Sequence, residues 1–373
     1  MSEEIIENDI QTVPVEPQLG EPNIETPSLV PGFKSICTRI GIMMIIVFAA
    51  RTAVDVLAAV FSPYLLDLSL TPMGAYILNA VISVVFLYLI PIIAAIFLLK
   101  RPMKNRMGIV YAKPKYFGRA LAMFPAGYGV AITCNILTQL LGSLFVGTEL
   151  GNSFTVVEDT FAAPDMGSAI VLFIQLTILA PIFEEFWCRG LIMESLRPYG
   201  NGFAIFVSAL LFGTIHANFA QFFYATALGI FLGYIAVSTQ SLVTTTIMHA
   251  MFNSISGMMI LLAADESVGD YLLAAQNGAE AEVTPTVVLY MAWMGLVLLL
   301  LAVGVIMAIY KFIKIKKYRV PKVQTEMSAG KRWGIFLSRI SIIIMIILAA
   351  DTFSLQKISK FFVCLVTGDW ENL

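Results

Sequence analysis

Charge and histidine are what this chain has least of. Only 13% of its 373 residues are Asp, Glu, Lys or Arg, against about 25% in a soluble domain. With 58% hydrophobic residues, that deficit excludes an ordinary soluble globule and points to a polytopic membrane protein. The four cysteines, Cys37, Cys134, Cys188 and Cys364, stand singly in apolar sequence, so there is no CxxC centre and no disulfide framework. Cys188, next to the motif region, reads as a buried structural thiol in preference to a metal ligand. Lys and Arg occur in short blocks beside apolar stretches, where they set membrane topology; no nucleic-acid partner is expected. The amino-terminal segment lacks the basic start and cleavage site of a signal peptide, and no internal repeat is evident.

Long apolar runs dominate what is present. A helix needs about 20 apolar residues to cross the bilayer core. Spans are expected at roughly 38–61, 74–99, 117–146, 167–188, 202–217, 220–238, 241–263 and 286–312. The fold class is therefore an all-α, polytopic transmembrane bundle of about eight spanning helices. A further run, 333–350, contains Arg339 and reads as a ninth span or, preferably, an interfacial helix. Residues 1–33 are acidic, with prolines at 14, 17, 22, 27 and 31, and are expected to form a disordered tail. The domain reading is thus 1–33 tail, 34–313 bundle with a motif-bearing core at 167–263, and 314–373 a basic segment followed by a membrane-associated region.

The loops orient the bundle. Basic blocks follow the second span (Lys100 to Arg119) and the eighth (Lys311 to Lys322), and Arg189 and Arg197 follow the fourth. The intervening connections carry Asp and Glu but no Lys or Arg. By the positive-inside rule this places both termini in the cytoplasm of a multi-pass cell-membrane protein.

Both histidines, His216 and His249, lie in apolar stretches, and a third such stretch carries Glu184-Glu185 and then Arg189. Ionisable groups at membrane depth are costly and mark functional sites. If the fourth helix runs to Arg197, before the Pro198–Gly202 turn, Glu184 lies about 20 Å from that end at 1.5 Å per residue. His216 lies about 20 Å up the fifth helix and His249 about 14 Å up the seventh, so three helices bring polar groups to similar depths.

Neighbouring Glu184 and Glu185 point about 100° apart on a helix, so only one faces a small site squarely. Glu185 and Arg189 are spaced i,i+4 and able to pair. His249 and Asn253 share a face, where Asn253 would orient the imidazole or donate to an oxyanion. Phe212, one turn before His216, lines the same face. Each residue alone has a bland reading as packing or a structural ion pair; the set at matching depths favours a site.

HExxH is absent, no serine–histidine pair is convincing, and nothing links Asp55 to Asp351. A glutamate-activated water, with two histidines binding a metal or sharing protons, fits best.

At these residues the chain resembles the CAAX protease and bacteriocin-processing (CPBP, Abi) family of intramembrane endopeptidases. The pattern EExxxR, FxxxH, HxxxN/D is matched by Glu184-Glu185…Arg189, Phe212…His216 and His249…Asn253. The resemblance implies a site sunk in the membrane and open to the cytoplasm. In it Glu184 activates water, His216 shares that task or binds metal, His249 and Asn253 hold the oxyanion or complete a metal shell, and Glu185 and Arg189 support the geometry. Two mechanisms stay open: Zn2+ on Glu184, His216 and His249, which is the ligand count of a catalytic zinc site, or a metal-free glutamate. With Glu184 as ligand, the base would be Glu185.

The expected substrate is a membrane-associated peptide or protein, CAAX-like or a leader peptide. Oligomeric state is open. Other classes keep the same residues: a proton- or cation-coupled transporter using them as a relay, or a non-catalytic bacteriocin-immunity protein of the same fold.

Overall fold

The computed structural model describes residues 29–67, 71–99, 114–144, 163–314, 320, 323, 325, 327–354 and 364. These form eleven helices: α1 Leu29–Asp67, α2 Pro72–Leu99, α3 Pro114–Ser143, α4 Met166–Tyr199, α5 Asn201–Ile215, α6 Phe219–Thr239, α7 Leu242–Ala263, α8 Glu266–Asn277, α9 Pro285–Ile313, α10 Ala329–Leu337 and α11 Ile340–Ser354. The all-α polytopic bundle is what the structure shows. Of the expected tail, residues 1–28 lie outside the described residues, and Leu29 to Phe33 open α1. Most of the basic blocks at 100–113 and 315–322 also lie outside them.

Short polar side chains start most of these helices by accepting from the first free N–H groups. Thr71 accepts from Gly74 N, Asp165 from Ser168 N at 2.7 Å, Asn218 from Gln221 N at 2.7 Å and Ser241 from Thr244 N. Thr284 caps α9 in the same way, with Pro285 at its first position. Proline shapes the interiors. α2 has a π-helical stretch, Ser83–Leu89, just before Pro91, and α4 has one, Gln175–Leu179, just before Pro181. A mid-helix proline clashes with the carbonyl four residues back and removes a donor, and a widened turn relieves both.

Among the described residues, seven helices are long and apolar enough to cross a membrane: α1, α2, α3, α4, α6, α7 and α9. The fifth expected span, 202–217, is observed as α5 at nearly the expected length and is short for a crossing helix. α5 has 15 residues, about 22 Å, against a hydrocarbon core of about 30 Å. It ends at a turn of His216, Ala217 and Asn218, where Ala217 takes a left-handed φ of 59°. The run 333–350 is divided between α10 and α11, which meet at a 71° bend near Ser338 and Arg339.

Two helix crossings depend on glycine. At Gly213 a Cβ would collide with Thr226 Oγ1 and the Phe222 carbonyl, so α5 and α6 pack backbone to backbone. Gly129 on α3 meets the Gly304 backbone of α9 in the same fashion. Small residues permit such approach between membrane helices. The outer faces are apolar: Leu298, Leu299 and Ile306 of α9 are exposed, as suits contact with lipid. Phe33 of α1 packs on Tyr199 at the end of α4 (ring centroids 4.6 Å) and on Phe203 of α5, which levels these three helix ends.

Candidate active site

Glu184 and Glu185 close the short helical stretch Ala180–Glu185, between the π turn before Pro181 and a second π-helical stretch, Phe186–Met193. The two carboxylates diverge as neighbours on a helix must. Glu185 is fully buried, and its Oε1 accepts from Arg189 Nη1 at 2.6 Å. Glu184 keeps 13% side-chain exposure and lines a cavity of about 370 Å³.

Arg189 is fully buried as well. Besides Glu185 it donates from Nη2 to the Gly229 carbonyl on α6 at 3.0 Å, and its guanidinium lies 4.8 Å from the Phe212 ring centroid on α5. The pairing expected from the i,i+4 spacing is present, and it also ties α4 to α5 and α6. Gly229 makes this reach possible, because a Cβ there would press on Ala209.

His249, 2% exposed on α7, donates from Nδ1 to the same Glu185 Oε1 at 2.9 Å. The carboxylate can only accept, so Nδ1 carries the proton. The other nitrogen, Nε2, stands 3.8 Å from Glu184 Oε2. The imidazole thus spans both glutamates, and Glu185 orients it, not Asn253 as the spacing suggested. Asn253 Nδ2 donates instead to the Leu176 carbonyl at 2.9 Å. Within the π turn Ala180 N reaches back five residues to Gln175 O. The next donor in that pattern, at position 181, is a proline without an N–H. Asn253 fills the resulting vacancy from α7.

His216 caps the end of α5. Its Nδ1 donates to Phe212 O at 2.8 Å, which leaves Nε2 with its lone pair, and the residue lines the cavity with Glu184. Phe212 meets His216 and His249 edge to face, at 5.0 and 5.5 Å between ring centroids. The sequence-derived set thus forms one network, in which Glu184 and His216 face the cavity while Glu185, Arg189, Phe212 and His249 pack behind it.

Several cavity residues were not anticipated. Tyr88 of α2 stacks on Phe183 (5.2 Å, 9° between planes) to cover one side. Asn218 and Gln221 border the cavity from the α5–α6 turn, Trp187 from α4 and Arg51 from α1. Non-helical backbone at membrane depth is tolerated where it lines such a cavity. Arg51 carried a readable signal, a cation in the middle of an apolar span.

The zinc expectation can be tested on the donors. Each imidazole is suited one by one, since its Nδ1 is tied to an acceptor and its Nε2 is left over; a carboxylate behind a histidine is the usual support of a metal ligand. Their grouping does not fit: among the described residues no three His, Cys, Asp or Glu side chains stand together as a ligand set. No step is therefore derived through a metal.

Comparison with known proteins gives one match. Residues 166–255, from the start of α4 into α7, match the family model described as Rce1-like, type II CAAX prenyl endopeptidase Rce1-like. No curated protein and no solved structure matches the chain.

Proposed function

The chain belongs, through residues 166–255, to the Rce1-like family of type II CAAX prenyl endopeptidases, and we propose that it is an intramembrane endopeptidase whose Glu184 activates the attacking water. The observation that carries this reading is the division between the two carboxylates. Glu185 is committed to Arg189 and His249, whereas Glu184 borders the cavity with His216.

In this reading a water in the cavity gives a proton to Glu184, and its oxygen adds to the peptide carbonyl carbon. His216 Nε2 holds the water from a second side as an acceptor. His249, whose imidazole is fixed by Glu185 and backed by the charge of Arg189, stands behind the cavity with Nε2 toward the Glu184 carboxylate. Collapse of the tetrahedral adduct breaks the C–N bond, and the proton on Glu184 passes to the leaving nitrogen. The products are a carboxylate and a new amino terminus. Positioned acid–base catalysis of this kind contributes roughly 10²–10⁴-fold. Asn253 acts at one remove, by holding α7 against the Leu176 carbonyl. Zn2+ on Glu184, His216 and His249 would require those side chains to close on one another.

The substrate is a membrane-associated peptide, CAAX-like or a leader peptide, cut near the cytoplasmic leaflet with both termini of the protease on that side. α5 and α6 together leave and return to the level of the α4 end, so the short α5 keeps that orientation.

The test places the purified full chain in liposomes with an apolar peptide and, in parallel, an ion-flux dye. Peptide cleavage without flux supports the endopeptidase. Flux abolished by Glu184→Gln, with no cleavage, would establish the transporter class instead.

A further inference from the structure

Five cations stand at the end of the bundle where α1 begins: Lys34 and Arg39 on α1, Lys331 and Arg332 on α10, and Arg339 at the bend after it. Phe203 of α5 gathers the helices that carry them. Phe33 packs on its ring at 5.6 Å between centroids and Trp333 at 5.0 Å, and the Arg332 guanidinium lies 5.9 Å from the same ring. Ser341 of α11 donates to the Thr38 carbonyl of α1 at 2.9 Å, which keeps Arg339 at the same end. Among the described residues none of the five makes an ion pair, and the carboxylate of Glu194 nearby is held by Arg197. Arg332 gives Nη1 to the Tyr199 carbonyl, while its buried Nε has no partner. Such donors are ordinarily satisfied. The outer face of α10 is open. Lys331 and Leu337 are exposed, and nothing lies within 4 Å of where a Cβ would stand on Gly330 or Gly334.

We infer that this face receives the chain's own amino-terminal segment, with Glu16, Glu21 and Glu25 seated on Lys331 and Arg332. Residues 1–28 carry seven carboxylates, Glu3, Glu4, Glu7, Asp9, Glu16, Glu21 and Glu25, and no Lys or Arg. The two sides of the contact are thus opposite in sign, and neither holds its own counter-charge. The point of attachment favours this occupant over an anionic lipid or a second copy of the chain. The segment joins α1 at Leu29, about one turn before Phe33, and so leaves the bundle beside α10. Glu25 and Glu21 stand four and eight residues ahead of Leu29, within roughly 14 and 28 Å of extended chain. Tethering by so short a stretch gives an effective concentration on the order of millimolar, whatever lipid surrounds the protein. A carboxylate fits a guanidinium fork. Acidic groups are further favoured at the first turn of a helix, where Lys331 and Arg332 lie on α10. One exposed ion pair contributes little, so the contact needs several of these acids together. It is independent of the endopeptidase reading and takes no part in hydrolysis.

The experiment uses the full chain in phosphatidylcholine vesicles, as a mixture of isotope-labelled and unlabelled protein. A carbodiimide joins a carboxylate to a lysine only where the two touch, and the isotope pattern separates links within one chain from links between two. Links from Glu16, Glu21 or Glu25 to Lys331 should form within one chain. They should fade at 1 M salt, where the screening length falls to about 3 Å. A second measurement follows the rate at which Lys331 is acylated. It should rise at least threefold when Glu16, Glu21 and Glu25 are all changed to Gln, a variant that leaves every described residue in place. Equal reactivity of Lys331 in the wild type and in that variant overturns the proposal. Links that run only to Lys104 and Lys113, or only to Lys316 and Lys317, assign the segment to another basic block and overturn it as well. Links between copies alone replace it with a dimer contact. Protection of Lys331 that follows anionic lipid added to the vesicle, and not the charge of the segment, assigns the face to lipid phosphate and overturns it too.

Discussion

His249 Nδ1 and Arg189 Nη1 both donate to Oε1 of Glu185, at 2.9 and 2.6 Å, and the Thr245 hydroxyl adds a side-chain hydrogen bond to the same carboxylate. One oxygen thus joins α4 to α7, and Arg189 carries the link on to α6. This relation separates two adjacent, chemically identical side chains into a structural glutamate and a free one.

The buried pair sets the first prediction. Removing one member of a buried ion pair strands the other, at a cost of roughly 3–5 kcal/mol. Glu185→Leu and Arg189→Met should each lower the thermal midpoint in detergent strongly. Combined, they should cost clearly less than the sum of the two. Additive losses would show that the contact carries no coupling.

Pro181 and Asn253 should be coupled in the same sense. Asn253→Ala leaves the Leu176 carbonyl unfilled, at about 1–2 kcal/mol. In a Pro181→Ala background the helix regains an N–H at that position, so Asn253→Ala should become milder. A double-mutant cycle on unfolding midpoints reads the difference, and a cycle that closes to zero would remove Pro181 as the reason for the contact.

The α5–α6 crossing predicts a contrast between two glycines of one helix. Gly213→Ala drives a methyl into Thr226 and the Phe222 carbonyl, costing about 1–3 kcal/mol and shifting the turn that carries His216. Gly202→Ala meets nothing within 4 Å and should be close to neutral. Melting curves and peptide cleavage should fall together for the first and hold for the second.

Metal removal gives a further check. Because the donors do not group as a ligand set, cleavage should persist after exhaustive chelation, followed by buffer depleted of divalent metals. Loss of cleavage that added Zn2+ restores would contradict the account.

Much of this arrangement was legible beforehand because it rests on short-range rules. The i,i+4 spacing of Glu185 and Arg189 foretold their pair, and the turn at Pro198 to Gly202 foretold the end of α4. Equal depth brought Glu184, His216 and His249 into one neighbourhood. The rest depended on tertiary facts. Asn253 shares a helix face with His249, yet its partner is a carbonyl exposed by a proline on another helix, which no local spacing reveals. α5 reads as a span because its apolar run continues through Ala217 toward α6; the break there is a left-handed alanine and not a glycine. Arg51 lies far from the motifs, and only the packing of α1 against α2 and α4 brings it to the cavity.

The account turns on which glutamate is free. Single-turnover cleavage of a peptide by Glu184→Gln in liposomes tests that most directly, with its melting curve as the control. The expected result is a loss of roughly 10²–10⁴-fold in rate with an unchanged unfolding midpoint. A folded Glu184→Gln that cuts at the wild-type rate would contradict it.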